Sequence, residues 1–178
     1  MNISSKTAKK RKCPSKPLID ILANYQIDSQ IIDYGCGYGA DVKYLQEKGM
    51  SVVGYDPNFF PTKPTVLGMT ILNTYVLNVI DTKQNRIKII KDMVRYCAID
   101  GHIFISTRTK TEINSLGRIN YWTQKNGGFL TKRGTFQIGL DTNDIINLFS
   151  ESNLINDVTI VHKKNGPKYT ILVVKRKK

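Results

Sequence analysis

Residues 33–39 read Asp33-Tyr34-Gly35-Cys36-Gly37-Tyr38-Gly39, a D-x-G-x-G-x-G pattern. A short β-branched run precedes it, and a helix-forming stretch follows. Strand, glycine turn and helix together are the context that gives such a loop meaning. Gly35 and Gly37 let backbone approach a ligand with no Cβ in the way. The start of the following helix adds N–H groups that have no partner inside the helix. The chemistry this arrangement suits is the holding of an adenosine-type ligand. The alternative is a tight strand-to-helix turn that holds nothing.

A second acid sharpens the choice of ligand. Asp56 stands 21 residues past Gly35, at the end of the next strand, where a carboxylate can accept both ribose hydroxyls of an adenosine. Dinucleotide sites share that feature, but their loops read G-x-G-x-x-G around a pyrophosphate. Here the spacing is G-x-G-x-G. Asp33 also sits just before the first glycine, separated from it by Tyr34, where it suits an ammonium and repels a diphosphate. The ligand expected on these grounds is S-adenosylmethionine, with Asp33, Gly35, Cys36, Gly37, Asp56 and Pro57 as its contacts. Cys36 reads as a small packing residue in the loop rather than a nucleophile.

Only about a dozen residues separate Asp56 from the strand that starts near Met69, too few for another helix and strand between them. The adenine side of the site is therefore expected to be built differently, with Phe59, Phe60 or Val79 covering the ring. Ligands of open parallel sheets sit beyond the carboxyl ends of the strands. Asn73-Thr74-Tyr75 falls at such an end. Asn73 could orient an acceptor amine or hydroxyl or touch the methionine part of the cofactor, and Tyr75 could stack on a base. These two are the candidate catalytic residues. A backbone-pairing role at the strand end stays open for Asn73 and for Asn78. No proline follows Asn73, where the chain continues Thr74-Tyr75-Val76. No Pro-Cys pair offers a nucleophile for carbon methylation.

Residues 108–140 leave the next strand at its carboxyl end and should overhang the cofactor. They carry Arg108, Arg118, Tyr121, Trp122, Arg133 and Phe136, basic groups interleaved with aromatics, which suits phosphate contacts and base stacking. The segment reads as irregular, and long irregular loops usually serve function. In the plainer alternative Trp122, Phe129 and Phe136 anchor a lid and the charges are a solvated rim.

The elements that must position these residues follow from periodicity. Residues 30–34, 51–55, 69–75 and 102–107 read as strands, and 40–48 and 84–97 as helices. Another helix spans 142–152 with Thr142 as its N-cap. Residues 158–162 and 169–174 flank Asn165-Gly166-Pro167 and read as an antiparallel hairpin. The fold expected is an α/β Rossmann-like sheet, mostly parallel with a C-terminal antiparallel hairpin, lacking the usual third strand. Residues 1–16 hold six Lys or Arg and no acid and read as a basic arm or mobile strap. Residues 17–178 form the domain, with 108–140 as a substrate-side insertion.

Charge points to a partner. The chain of 178 residues has 27 Lys and Arg against 14 acids, a net charge of +13 and a pI near 9.7. That balance favours a polyanion, with nucleic acid first. Cys13, Cys36 and Cys97 are too far apart to form a metal motif, and with two histidines no metal is expected. A cytoplasmic setting without membrane insertion is the natural one.

The residues 33–39 together with Tyr55-Asp56-Pro57 resemble class I S-adenosylmethionine-dependent methyltransferases. More narrowly, Lys6-Thr7-Ala8, Pro14-Ser15-Lys16-Pro17, Asp33-Tyr34-Gly35-Cys36-Gly37, the block 75–80 and the block 131–137 resemble, in order, the DNA-phosphorothioation-associated methyltransferases and their small bacterial and phage relatives. The resemblance implies a methyltransferase fold and leaves the acceptor open. Three functions stand: methyl transfer to DNA or RNA, methyl transfer to a small molecule or protein, and a non-catalytic cofactor-binding accessory subunit.

Overall fold

The computed structural model describes residues 3–28 and 30–178; residues 1 and 2 of the basic arm lie outside the described residues. A short 3-10 turn, Ile3–Thr7, begins the described chain. Helix α1 (Lys16–Asn24) is capped by Ser15, whose hydroxyl accepts from the Leu18 amide at 3.2 Å, and Pro17 occupies its first turn, where a missing N–H costs nothing. Strand β1 (Gln30–Tyr34), helix α2 (Ala40–Glu47) and strand β2 (Ser51–Tyr55) follow. The chain then runs directly to β3 (Gly68–Thr74), α3 (Lys83–Tyr96) and β4 (Cys97–Arg108).

Six strands form one sheet in the order β2-β1-β3-β4, followed by two further strands, β9 (Tyr169–Arg176) and then β8 (Val158–Asn165). The first four are parallel. Strands β8 and β9 form the expected hairpin, antiparallel to each other, and β9 pairs antiparallel with β4. No helix or strand stands between β2 and β3, so β2 is the sheet edge, as the short path from Asp56 to Met69 requires.

Adjacent residues of the central strands are buried on opposite faces, the mark of a sheet covered on both sides. Ile31, Leu72, Phe104, Ile171 and Val173 meet Leu18, Ile21 and Leu45 on one face. Ile32, Ile71, Ile103, Ile105, Leu172 and Val174 meet Ile90, Met93, Ile145, Leu148 and Phe149 on the other. Each large apolar side chain so buried contributes about 1.5–3 kcal/mol.

Two expectations are corrected. The segment 108–140 is not irregular: it forms α4 (Lys110–Ile119) and a small sheet of β5 (Thr123–Lys125), β6 (Gly128–Leu130) and β7 (Phe136–Gln137). Thr109 caps α4 by accepting from the Glu112 amide at 3.2 Å, and Ile113 buries its inner face. Gly117 leaves room for the Phe129 ring, which a Cβ there would meet at 2.7 Å. The last helix, α5 (Thr142–Glu151), is capped by Asp141 rather than Thr142, through a reciprocal box with Asp144.

Candidate active site

The strand order reverses between β1 and β3, so a crevice opens beyond their carboxyl ends. The glycine loop fills its floor. Gly35, Gly37 and Gly39 have φ of +93°, +55° and +76°, backbone that side chains other than glycine adopt at a cost. The Gly35 and Cys36 amides both donate to the Tyr55 carbonyl, at 2.7 and 3.1 Å. At Gly35 a Cβ would lie 2.3 Å from Val76 Cγ2. The loop is thus held flat between β2 and the residue after Tyr75.

Asp56 Oδ2 accepts from the Gly37 amide at 3.2 Å, while its Oδ1 accepts from Asn58 and Phe59 at 2.9 and 3.2 Å. That closes the turn carrying Pro57 and folds Phe60 back on Asp56 through paired backbone bonds. The Phe60 ring packs over Gly39, and Phe59 meets Tyr38 with ring centres 4.2 Å apart. Phe59 and Phe60 therefore stand beside the glycine loop. Cys36 is buried against Gly54. Burial first, then the charges of Asp33 and Asp56, push its thiol pKa far up, which suits a packing residue.

Asp33 is 3% exposed. Burial and the neighbouring Asp41 raise its pKa to about 8, Arg11 opposes them, and Asp56 adds to the rise. Three acids around one glycine loop form a setting that a cation relieves. S-adenosylmethionine carries an ammonium and a sulfonium, and its ribose diol suits Asp56, so the donor set fits this cofactor.

Asn73 is fully buried; its amide donates to the Tyr34 carbonyl at 2.8 Å and its Oδ1 has no protein partner. Tyr75 takes φ of +60°, and its amide is held by the Ser106 carbonyl at 2.8 Å. Arg108 lies 5.5 Å from the Tyr75 ring centre and pairs with Glu112 at 2.8 Å. Burial pushes the Tyr75 hydroxyl up to about 12, against the pull of Arg108. Tyr75, Arg108 and Glu112 thus form one cluster beside the crevice.

The remaining substrate candidates separate. Arg118 lines an open groove of about 380 Å³ with Asn114, Gln124 and Phe129. Tyr121 is 82% exposed and lies 6.0 Å from the Lys132 ammonium. Arg133 is exposed on the turn before β7. Trp122 is half-buried edge-on to Phe129. Phe136 corrects an expectation: it is 4% exposed, packed against Gly128, so its ring fills the small sheet and offers no face to a base.

Sequence reasoning missed Asp41 and Arg11, which pair at 3.3 Å beside the loop. The signal was present: Asp41 lies four residues before Leu45, on the apolar face of α2, and a buried acid needs a partner. It missed Glu112 by missing α4, although Thr109-Lys-Thr-Glu112 has the spacing of a helix start.

The model of the methyltransferase domain family matches residues 8–159. No curated protein sequence matches the chain. Among solved structures, a S-adenosylmethionine-dependent methyltransferase from Methanosarcina mazei is similar, with a TM-score of 0.68 at 16% identity, covering 92% of this chain and 99% of that one. The N-methyltransferase NodS from Bradyrhizobium japonicum, in complex with S-adenosylhomocysteine, gives 0.56 at 12% identity, with 92% and 85% covered. Magnesium protoporphyrin IX methyltransferase from Synechocystis, also with S-adenosylhomocysteine bound, gives 0.58 at 13%, with 90% and 79% covered. The glycine loop, its sheet position and the family match agree: this chain belongs to the methyltransferase domain family and is an S-adenosylmethionine-dependent methyltransferase.

Proposed function

We propose that this methyltransferase acts on a nucleic acid, DNA or RNA. The observation that carries the reading is the basic and aromatic surface of α4 and the small sheet, where Arg118, Tyr121, Lys132 and Arg133 are exposed next to β4. Cations there suit phosphates and Tyr121 suits a stacked base. The excess of 27 cations over 14 acids supports the same partner.

In this reading residues 17–178 are the methyltransferase domain, 1–16 its basic arm and 108–140 its substrate side. Asp33, Gly35, Cys36, Gly37, Asp56, Pro57 and Asn73 hold the cofactor. S-adenosylmethionine supplies a methyl group already activated on its sulfonium, so the protein's main task is alignment. Tyr75 and Arg108 flank the acceptor. Asn73 acts through the Tyr34 carbonyl, fixing the loop. The narrower resemblance to DNA-phosphorothioation-associated methyltransferases is compatible with a DNA acceptor, and the matching family model is broader than that group.

A small-molecule acceptor is the second reading. It is favoured by magnesium protoporphyrin IX methyltransferase, whose own acceptor is a small molecule and whose fold is similar. Transfer of labelled methyl to pooled DNA, RNA and tRNA, with Asp56→Ala as control, decides between them. Label in a nucleic acid supports the first reading. S-adenosylhomocysteine binding with no label in any pool favours the second.

A further inference from the structure

The basic arm does more than add charge. Asp41, in the first turn of α2, has a side chain only 4% exposed. One of its oxygens accepts the Ser15 amide at 2.7 Å, and the other faces Arg11 at 3.3 Å. Both oxygens of this buried carboxylate are therefore committed to the arm. Four residues before Arg11, the arm turns through Ile3–Thr7, with Ser5 buried. Ala8 lies across the glycine loop: a Cβ on Gly37 would stand 3.5 Å from its methyl. Lys10 sits 5.3 Å from the Tyr38 ring centre.

We propose that residues 5–15 form a strap over the cofactor loop, latched by Arg11 on Asp41, and that these two are positioning residues governing cofactor and product release. The proposal rests on the cofactor lying against residues 33–39.

The strap is suited to opening. Residues 9–13 are all exposed and none is apolar except Cys13, so little burial holds this stretch down. Pro14 prevents α1 from extending into it. Its contacts with the body include the Arg11–Asp41 ion pair and the Lys10 ammonium over the Tyr38 ring. Arg11 also opposes the mutual repulsion of Asp33, Asp41 and Asp56, so lifting the strap removes a counter-charge from the loop.

The test follows S-adenosylhomocysteine on the full chain. In wild type, bound S-adenosylhomocysteine should slow tryptic cleavage after Lys9, Lys10, Arg11 and Lys12. Arg11→Ala should release it about tenfold faster in stopped-flow displacement, lose the protection at the lysines, and lower the thermal midpoint of the ligand-free protein, since Asp41 loses its partner. Arg11→Lys should recover most of the slow release, since a cation still reaches Asp41. Asp41→Asn should release as fast as Arg11→Ala. Wild-type release rates in Arg11→Ala, or cleavage indifferent to ligand, overturn the latch while leaving the cofactor reading intact. Failure of wild type to bind S-adenosylhomocysteine overturns both.

Discussion

The side-chain amide of Asn73 donates to the carbonyl of Tyr34 at 2.8 Å, so the end of β3 is tied to the residue that leads into the glycine loop. Asn73 is fully buried, and Ala at this position removes that donor from the Tyr34 carbonyl. Asn73→Ala should cost about 1–3 kcal/mol in denaturant unfolding and weaken S-adenosylhomocysteine binding in calorimetry. Asn73→Asp should be worse, because it sets a second acceptor against a carbonyl. A variant with wild-type stability and cofactor affinity but no methyl transfer would instead make Asn73 an acceptor contact.

Asp33 gives a pH signature. Its pKa rises to about 8 in the folded chain, from an ordinary value of 3.8, through burial, Asp41 and Asp56, with Arg11 opposing. Between those values the unfolded chain releases a proton that the folded chain keeps. The contribution of Asp33 to stability therefore falls as pH rises and levels off above about 8. Asn cannot ionise. Asp33→Asn should match wild type near pH 4 and exceed it at pH 8 by on the order of 1–3 kcal/mol. It should also bind S-adenosylhomocysteine more weakly, having lost the carboxylate proposed to face the ammonium. Parallel melting curves of the two proteins across pH 4–8 would remove Asp33 from the role of buried acid.

At Gly35 two penalties coincide. The φ of +93° disfavours any side chain, and a Cβ would meet Val76 at 2.3 Å. Gly35→Ala should destabilise by about 2–4 kcal/mol and abolish detectable cofactor binding. The double variant Gly35→Ala, Val76→Ala removes the collision but not the backbone strain, so it should recover stability only in part. Full recovery in chemical denaturation would show that Val76 alone demands the glycine.

Much of this architecture was legible beforehand. The central strands announce themselves because burial on both faces makes them continuous apolar runs, as in Ile103-Phe104-Ile105 of β4 and Ile171-Leu172-Val173-Val174 of β9. The missing strand was legible from chain length alone. What stayed hidden depends on tertiary partners. Helix α4 carries Gly117 and polar residues on most of its surface, and it is settled by Phe129 packing on that glycine. Phe136 looks like any other aromatic of a basic segment until β6 and β7 close over it. The Arg11–Asp41 pair joins residues 30 apart in the chain, and only the docking of the arm brings them together.

The acceptor surface can be split into charge and stacking. Arg133 is exposed and is proposed to meet a phosphate, and Tyr121, at 82% exposure beside Lys132, to meet a base. Arg133→Ala should lower the slope of log affinity against log salt by about one for an oligonucleotide, the release of one counterion. Tyr121→Ala should leave that slope alone and weaken single-stranded binding by about 1–3 kcal/mol. The two effects should add, since they act on different parts of the nucleotide. Fluorescence anisotropy at three salt concentrations measures both. A wild-type protein whose oligonucleotide binding shows no salt dependence would shift the balance to the small-molecule acceptor, because a phosphate-binding surface cannot be blind to counterions.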